Sequence, residues 1–446
     1  MRLRRPTSGL WGHRDFLSLW SAETISQFGS QISALALPLV AILVLDSSAF
    51  AVAALGTIEF LPFILFSLPA GVWVDRLPRK PILVAGDLGR ALLLATVPVA
   101  YLADALTIWQ LYAVGFGVGV GTVFFDVAYQ SYLPSLVARE QLVEGNAKLE
   151  ISRSAAQIGG PGVAGGLVSL LTAPYAILVD AVSFLGSALF LLGIRKREQL
   201  PERAPDAAHP SMLREVREGL GYVLGIRHLR AIAACTGTSN LFGSMVFAIY
   251  LVFAVRELGL SPGAIGIVFA VGNVGTLAAA FTATRISRRL GVGPTIVATA
   301  AIFGPAMLLV PLAPESMPLP FLIASGILFG FSAVVYNITQ VSYRQAITPE
   351  RMQGRMNSVM RFVVWGVMPL GSLTGGALGT WIGLRETLWI AAAAGSFTFL
   401  PVLLSPVRTL REMPEPHADE HAGAALEAGI VSGVQGPLPA VDESRA

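Results

Sequence analysis

The feature that most constrains this chain is the grouping of its apolar residues into long blocks separated by short polar breaks. A helix rises about 1.5 Å per residue, so roughly 20 apolar residues cross the hydrocarbon of a bilayer. Twelve blocks reach that length, at 16–45, 49–74, 81–103, 107–132, 147–172, 174–194, 229–255, 262–286, 293–313, 318–342, 357–383 and 386–405. Of the 446 residues 54% are hydrophobic and 13% charged, against about 25% charged in a soluble domain. The expectation is an all-α membrane protein with twelve transmembrane helices. The N-terminal apolar region is too long for a signal peptide and contains Glu23, so it reads as a retained first span.

The basic residues report orientation. Connections after odd-numbered spans are short and hold only Arg256 and Arg385 of the 31 Lys and Arg. The rest lie in the tails, in the even-numbered loops or near the helix ends facing them, which predicts cytoplasmic termini and an even number of spans. The net charge of +3 follows this topology and gives no reason to expect nucleic acid as a partner. The organisation expected is a cytoplasmic segment 1–15, a six-helix half 16–194, a cytoplasmic loop 195–228, a second half 229–405 and a disordered tail 406–446. Within the loop, Met212 to Tyr222 has an amphipathic pattern.

The two halves share an internal repeat. Asp126 opens a segment in which Asn146, Arg153, Pro161 and Gly165-Gly166 follow in order. Asn337 opens another, with Asn357, Arg361, Pro369 and Gly375-Gly376. The spacing from Arg to Pro is eight in both copies. Duplication of a six-helix unit gives two pseudo-symmetric halves, an architecture of transporters with the substrate site between them.

The loop between spans two and three reads Gly71-Val72-Trp73-Val74-Asp75-Arg76-Leu77-Pro78-Arg79-Lys80. Here the Gly would allow close helix approach, and the cationic cluster faces the cytoplasm. The loop resembles the G-x-x-x-D-R-x-G-R-R/K signature of the major facilitator superfamily, with Pro78 in place of the usual Gly. The segments from Ser26 to Gln31, from Gly86 to Leu94 and around Asn146 to Gly166 are similar to the branch containing the enterobactin exporter and macrolide efflux pumps. The resemblance implies the major facilitator fold and export of small drug, macrolide or siderophore-type molecules by alternating access, driven by proton antiport. It also implies a gate latch at Gly71, Asp75, Arg76, Arg79 and Lys80. Asp87 and Arg90, at i and i+3, are placed to join that network.

Acids inside spans form the next class, because a charge in hydrocarbon costs at least about 2.5 kcal/mol and tends to mark a polar pathway. Glu59 falls near the midplane of span two, Glu23 about two turns into span one, and Asp180 about six residues into span six. A carboxyl in low dielectric is suited to binding and releasing a proton as access alternates. Glu59 is the first candidate for coupling, then Glu23, then Asp180. Gln27, Gln31, Asn240 and Asn273 are candidate polar anchors in a largely apolar cavity, with Phe60, Phe63, Phe242 and Phe247 as aromatic surface. Gly115, Gly117, Gly119 and Gly121 suit close helix packing. Gly160, Pro161, Gly165 and Gly166 suggest a hinge or packing element resembling the antiporter signature G-P-x-x-G-G, with one residue more.

Other function classes lack their residues. The three lysines, Lys80, Lys148 and Lys196, sit outside any G-x-x-x-x-G-K-[ST] phosphate loop. The acids are scattered over separate spans, unlike an enzyme's cluster or a metal site, so neither catalysis nor a bound metal is expected. All five His are placed in tails or loops, and the single Cys235 cannot form an internal disulfide. The expected partners are a small-molecule substrate and the lipid bilayer. The chain is expected to act as a monomer, without a cofactor, in a bacterial inner or plasma membrane. A proton-coupled importer of the same fold and a transporter-like sensor are the alternatives.

Overall fold

The structure, a computed structural model, describes residues 9–74, 77–196, 198 and 212–413. Among these, regular structure is helical throughout. The first group comprises α1 (Arg14–Leu43), α2 (Ala49–Val74), α3 (Arg79–Leu102), α4 (Ile108–Leu136), α5 (Leu142–Leu171) and α6 (Ala173–Leu192). A shorter helix follows, α7 (Met212–Gly225). The second group comprises α8 (Arg227–Arg256), α9 (Pro262–Leu290), α10 (Val292–Leu312), α11 (Pro318–Ile347), α12 (Glu350–Trp381), α13 (Leu384–Gly395) and α14 (Leu400–Leu403).

Eleven stretches among the described residues are long and apolar enough to cross a membrane. The remaining long helix is α5, whose 30 residues include Glu144, Lys148, Glu150 and Arg153. It qualifies by length and by its place between α1 and α9 rather than by hydropathy. Helices α4, α5, α9, α11 and α12 run four to seven residues past the expected block ends on the side of the even-numbered loops. Backbone hydrogen bonding, which does not stop where hydropathy falls, sets those ends. The last span is broken: Pro401 has no N–H to donate back to Phe397, and residues 396–399 turn between α13 and α14. His228, expected in a loop, is the second residue of α8, and its Nδ1 lies 2.9 Å from the Tyr343 hydroxyl.

The helices pack as two bundles. In the first, α1 lies against α5 and α6, α3 against α4 and α6, and α2 against α4. In the second, α8 packs on α12 and α13, and α11 on α9 and α10. Two seams join the bundles, α5 with α9 and α2 with α12. Counted as spans these are five with eight and two with eleven, so each is the repeat-related image of the other. Helix α7 lies on α12 and α8: Glu218 pairs with Arg355 at 2.6 Å, and a Cβ on Gly219 would come within 3.0 Å of the Arg355 carbonyl.

Candidate functional site

The seams are built at glycines. A Cβ on Gly165 would lie 2.5 Å from the Pro262 carbonyl and 2.8 Å from the Gly266 Cα, so α5 and α9 touch backbone to backbone. A Cβ on Gly376 would lie 2.5 Å from that of Ala53, which does the same for α12 and α2. Hydrogen bonds follow these contacts. Ser372 donates to the Ala53 carbonyl at 3.1 Å, Phe50 N–H to Thr380 Oγ1 at 3.0 Å, and Asn273 Nδ2 to the Gln157 carbonyl at 2.7 Å. Arg256 meets Asp46 at 2.6 Å beyond the helix ends.

These links span from mid-depth to the end of the molecule that carries loop 44–48. At the other end, which carries the basic even-numbered loops, no hydrogen bond or ion pair joins α1–α6 to α8–α14 among the described residues. Phe60 meets Trp365 at 5.7 Å where the α2–α12 seam gives out. The two halves are thus closed on one end and unbridged on the basic end.

The expected gate residues divide accordingly. Asp75 and Arg76 lie outside the described residues. Gly71, expected to allow close helix approach, faces open space: a Cβ there would meet nothing within 4 Å. The same end of α2 is packed on its other faces, where Val74 is fully buried and Trp73 stacks on Phe124 of α4 at 5.8 Å, so the side at Gly71 is the uncovered one. Arg79 pairs with Glu198 at 2.9 Å, and Lys80 Nζ donates to the carbonyls of Leu192 and Ile194 at 3.0 and 2.6 Å. Both basic residues therefore tie the start of α3 to the end of α6 within one half.

Asp87 and Arg90 form a buried pair at 2.5 Å, at 0% and 4% exposure. The guanidinium is sandwiched between Phe125 and Phe184, with ring centroids 4.5 and 4.1 Å from Cζ. Gly121 makes this possible, since a Cβ there would lie 2.8 Å from the Arg90 Cγ. Arg90 also lies within electrostatic reach of Glu23, Asp126 and Asp180. The pair thus joins a polar core inside the first half, where sequence spacing had placed it beside the gate loop.

The other members of this core come from separate helices. Glu23 on α1 is buried and accepts from Gln27 Nε2 at 2.7 Å. Asp180 on α6 is 1% exposed and accepts from Ser183 at 2.9 Å. Gly29 on α1 opens the space for it, because a Cβ there would overlap both Asp180 and Ser183. One carboxyl oxygen each of Glu23, Asp87 and Asp180 is buried without a hydrogen-bond partner. Sequence reasoning missed Asp126 on α4 and Arg153 on α5. Asp126 lay close to the polar end assigned to span four, and Arg153 served there only to align the repeats.

Glu59 is separate from this core. Its side chain faces α4, where a Cβ on Gly115 would lie 2.8 Å from its Cγ, and its Oε1 is enclosed without a partner. Of the expected cavity anchors, Gln31 packs on Gly160 of α5, and Asn240 Nδ2 reaches the Val364 carbonyl at 3.5 Å within the second half. Asn273 belongs to the α5–α9 seam. Pro161 and Gly165 also lie on that seam, while a Cβ on Gly166 would meet open space. No cluster of His, Cys, Asp and Glu suited to a metal ion occurs among the described residues.

The chain is similar to known transporters along most of its length. It is 29% identical to the multidrug efflux pump Tap of Mycolicibacterium fortuitum, over 77% of this chain and 83% of that protein. It is 24% identical to macrolide efflux protein A of Streptococcus pyogenes, over 89% and 97%. Among solved structures, a bacterial homologue of the iron transporter ferroportin in its inward-facing state superposes with a TM-score of 0.72 at 18% identity, over 89% of this chain and 99% of that one. The model of the family described as transmembrane secretion effector matches residues 10–435. With that match over a bundle of two six-span halves, the chain belongs to the transmembrane secretion effector family of the major facilitator superfamily.

Proposed function

We propose that this multi-pass transporter exports small amphipathic molecules of the drug or macrolide type by alternating access, in exchange for protons. The observation that carries the reading is the acidic interior of the first half: Glu23, Asp87 and Asp180 are buried around Arg90, their one buried guanidinium, with the half-buried Asp126 at its edge. Buried acids in excess of buried cations are stable only when most hold protons, and groups that hold protons inside a membrane can exchange them. The names of the efflux relatives favour export over import. Siderophores share the size and amphipathic character of such substrates.

The two halves are the moving units. With the basic end on the cytoplasmic side, as the distribution of Lys and Arg favours, the arrangement described here opens inward. Both termini are then cytoplasmic. Gly71, Asp75, Arg76, Arg79 and Lys80 engage the second half only when that side closes. Transport needs no cofactor beyond the proton gradient, and a single chain suffices because both halves lie within it. Glu23 and Asp180, which share the field of Arg90, are better placed for coupling than the isolated Glu59.

Accumulation of erythromycin and of ethidium in bacterial cells expressing the protein tests this. Export lowers accumulation relative to cells with empty vector, and a protonophore restores it. Raised accumulation would instead identify an importer.

A further inference from the structure

The break in the last span leaves a groove at the basic end of the second half. Residues 396–399 turn between α13 and α14, and α14, four residues long, packs on α8. Beside that contact lies an open groove of about 530 Å³, lined by Arg227, Arg230 and Ala234 of α8 and by Pro401, Leu404 and Ser405. Residues 227, 230 and 234 are spaced i, i+3 and i+7 and share one face of the helix. From Arg227 to Ala234 the helix rises about 10 Å, so a basic mouth leads down an apolar wall. Ala234 and Leu404 are exposed, the latter at 77%. Thr236, two residues beyond Ala234 and so on the opposite face of α8, meets the Tyr336 hydroxyl of α11 at 2.8 Å. The groove therefore looks away from the interior of the bundle, toward lipid.

The two guanidiniums at the mouth keep their charge. Other bases at this end are spent on acids, Arg79 on Glu198 and Arg355 on Glu218. Arg230 Nη1 donates to the Leu224 carbonyl at 3.2 Å, a neutral partner. Among the described residues neither Arg227 nor Arg230 meets an acid, and no acid lines the groove. Topology asks for bases at this end, but it does not ask for two of them on one helical face above an apolar wall. The bond to Leu224 also brings the end of α7 to the mouth. Leu220 and Leu224 lie one turn apart on α7 at 42% and 48% exposure. Exposed leucines on one face suit a helix resting in the interfacial layer, which sets the two arginines at headgroup depth.

We propose that this groove binds one anionic phospholipid, with its phosphodiester against Arg227 and Arg230 and an acyl chain along Ala234 and Leu404. The fork of a guanidinium matches two phosphate oxygens. Two such forks without an acid favour a headgroup of net negative charge over one that carries its own ammonium, which they repel. Basic pockets between spans at a membrane surface take headgroups of this kind. The lipid fills the space left by the break in the last span and holds α14 against α8. The groove is apart from the gap between the halves, so this ligand is neither the transported molecule nor a coupling group.

Native mass spectrometry of the full-length protein in detergent tests this, with dioleoyl-phosphatidylglycerol added in competition with dioleoyl-phosphatidylcholine. The glycerol lipid is expected to be retained at least fivefold over the choline lipid and to raise the thermal unfolding midpoint, since a ligand of the folded state stabilises it. Arg227→Gln with Arg230→Gln lowers affinity for phosphatidylglycerol at least tenfold. Ala234→Phe, at an exposed position, keeps both charges but fills the groove, and lowers it at least fivefold. Arg285→Gln with Arg289→Gln takes the same charge from exposed positions at the same end and leaves affinity within twofold. An equal loss in that control would trace the binding to the basic end as a whole and overturn the proposal. Equal retention of the two lipids overturns it too, as does wild-type affinity in Ala234→Phe, which decides alone should the paired arginine variant fail to fold. Displacement of phosphatidylglycerol by inorganic phosphate at equal concentration would assign the groove to a free anion and overturn its assignment to lipid.

Discussion

Glu59 and Glu23 are both carboxyls within spans, and their depth alone made Glu59 the first candidate for coupling. Their surroundings reverse that order. Glu23 shares Arg90 with Asp87, whereas Glu59 lies against the glycine face of α4 with no charged group in reach. Glu23→Gln is therefore expected to lower substrate-driven proton movement in vesicles at least tenfold. Glu59→Gln is expected to leave it within twofold, and loss of coupling in that variant would return the role to Glu59. The glycines of α4 explain why depth and surroundings point to different residues. Gly115 and Gly119 accommodate Glu59 and the α2 backbone, while Gly121 accommodates Arg90. The G-x-x-x-G spacing was legible as close packing, but which side chain fills each notch depends on helix rotation and register. Asp126 escaped notice for a related reason: its block loses apolar character one turn later, although α4 continues to Leu136.

At the scale of elements, α5 shows how far pattern carries. Its polar residues lower its hydropathy below that of the other spans, yet the repeat of Arg153 and Pro161 in Arg361 and Pro369 marked it as the equivalent of α12. Both helices carry a seam on one face. Pro161 does not interrupt α5, and its carbonyl would lie 2.6 Å from a Cβ on Gly266, so the segment works here as a contact surface. A bulky residue on that surface has no space to enter. Gly165→Leu should separate α5 from α9 while leaving each half folded, because overpacking a tight contact costs about 1–3 kcal/mol. A cysteine introduced at Val168, which is buried one turn after Gly165 on α5, reports the separation. Its labelling by a membrane-impermeant maleimide should rise severalfold in the Gly165→Leu background, and unchanged labelling would show that the seam tolerates the side chain. The gate loop was less legible than α5. Its motif was plain in the sequence, but which groups it would meet was not, and Arg79 and Lys80 bind their own half here.

The whole molecule is two bundles joined by two seams related by the internal repeat, both toward the same end. If the halves rock against each other, these seams must part whenever the closed end opens, since backbones in contact cannot diverge without losing the contact. Two positions allow that to be tested without distorting the closed state. The Cβ of Ala49 and a Cβ built on Gly379 are 3.5 Å apart, and so are those of Ala270 and Gly162. Both pairs are at the short end of the range for a disulfide. Cys235, the one native thiol, is buried and can be replaced to leave a clean background. Ala49→Cys with Gly379→Cys, and separately Gly162→Cys with Ala270→Cys, are expected to reduce transport at least tenfold on oxidation and to recover it with dithiothreitol. Because the seams are equivalent, one bridge should stop the cycle as completely as both. Transport that continues with a bridge shown intact on gels would mean that the halves do not part at that seam. The same bridged protein should still bind erythromycin added from the basic side, because that is the side on which its halves remain apart.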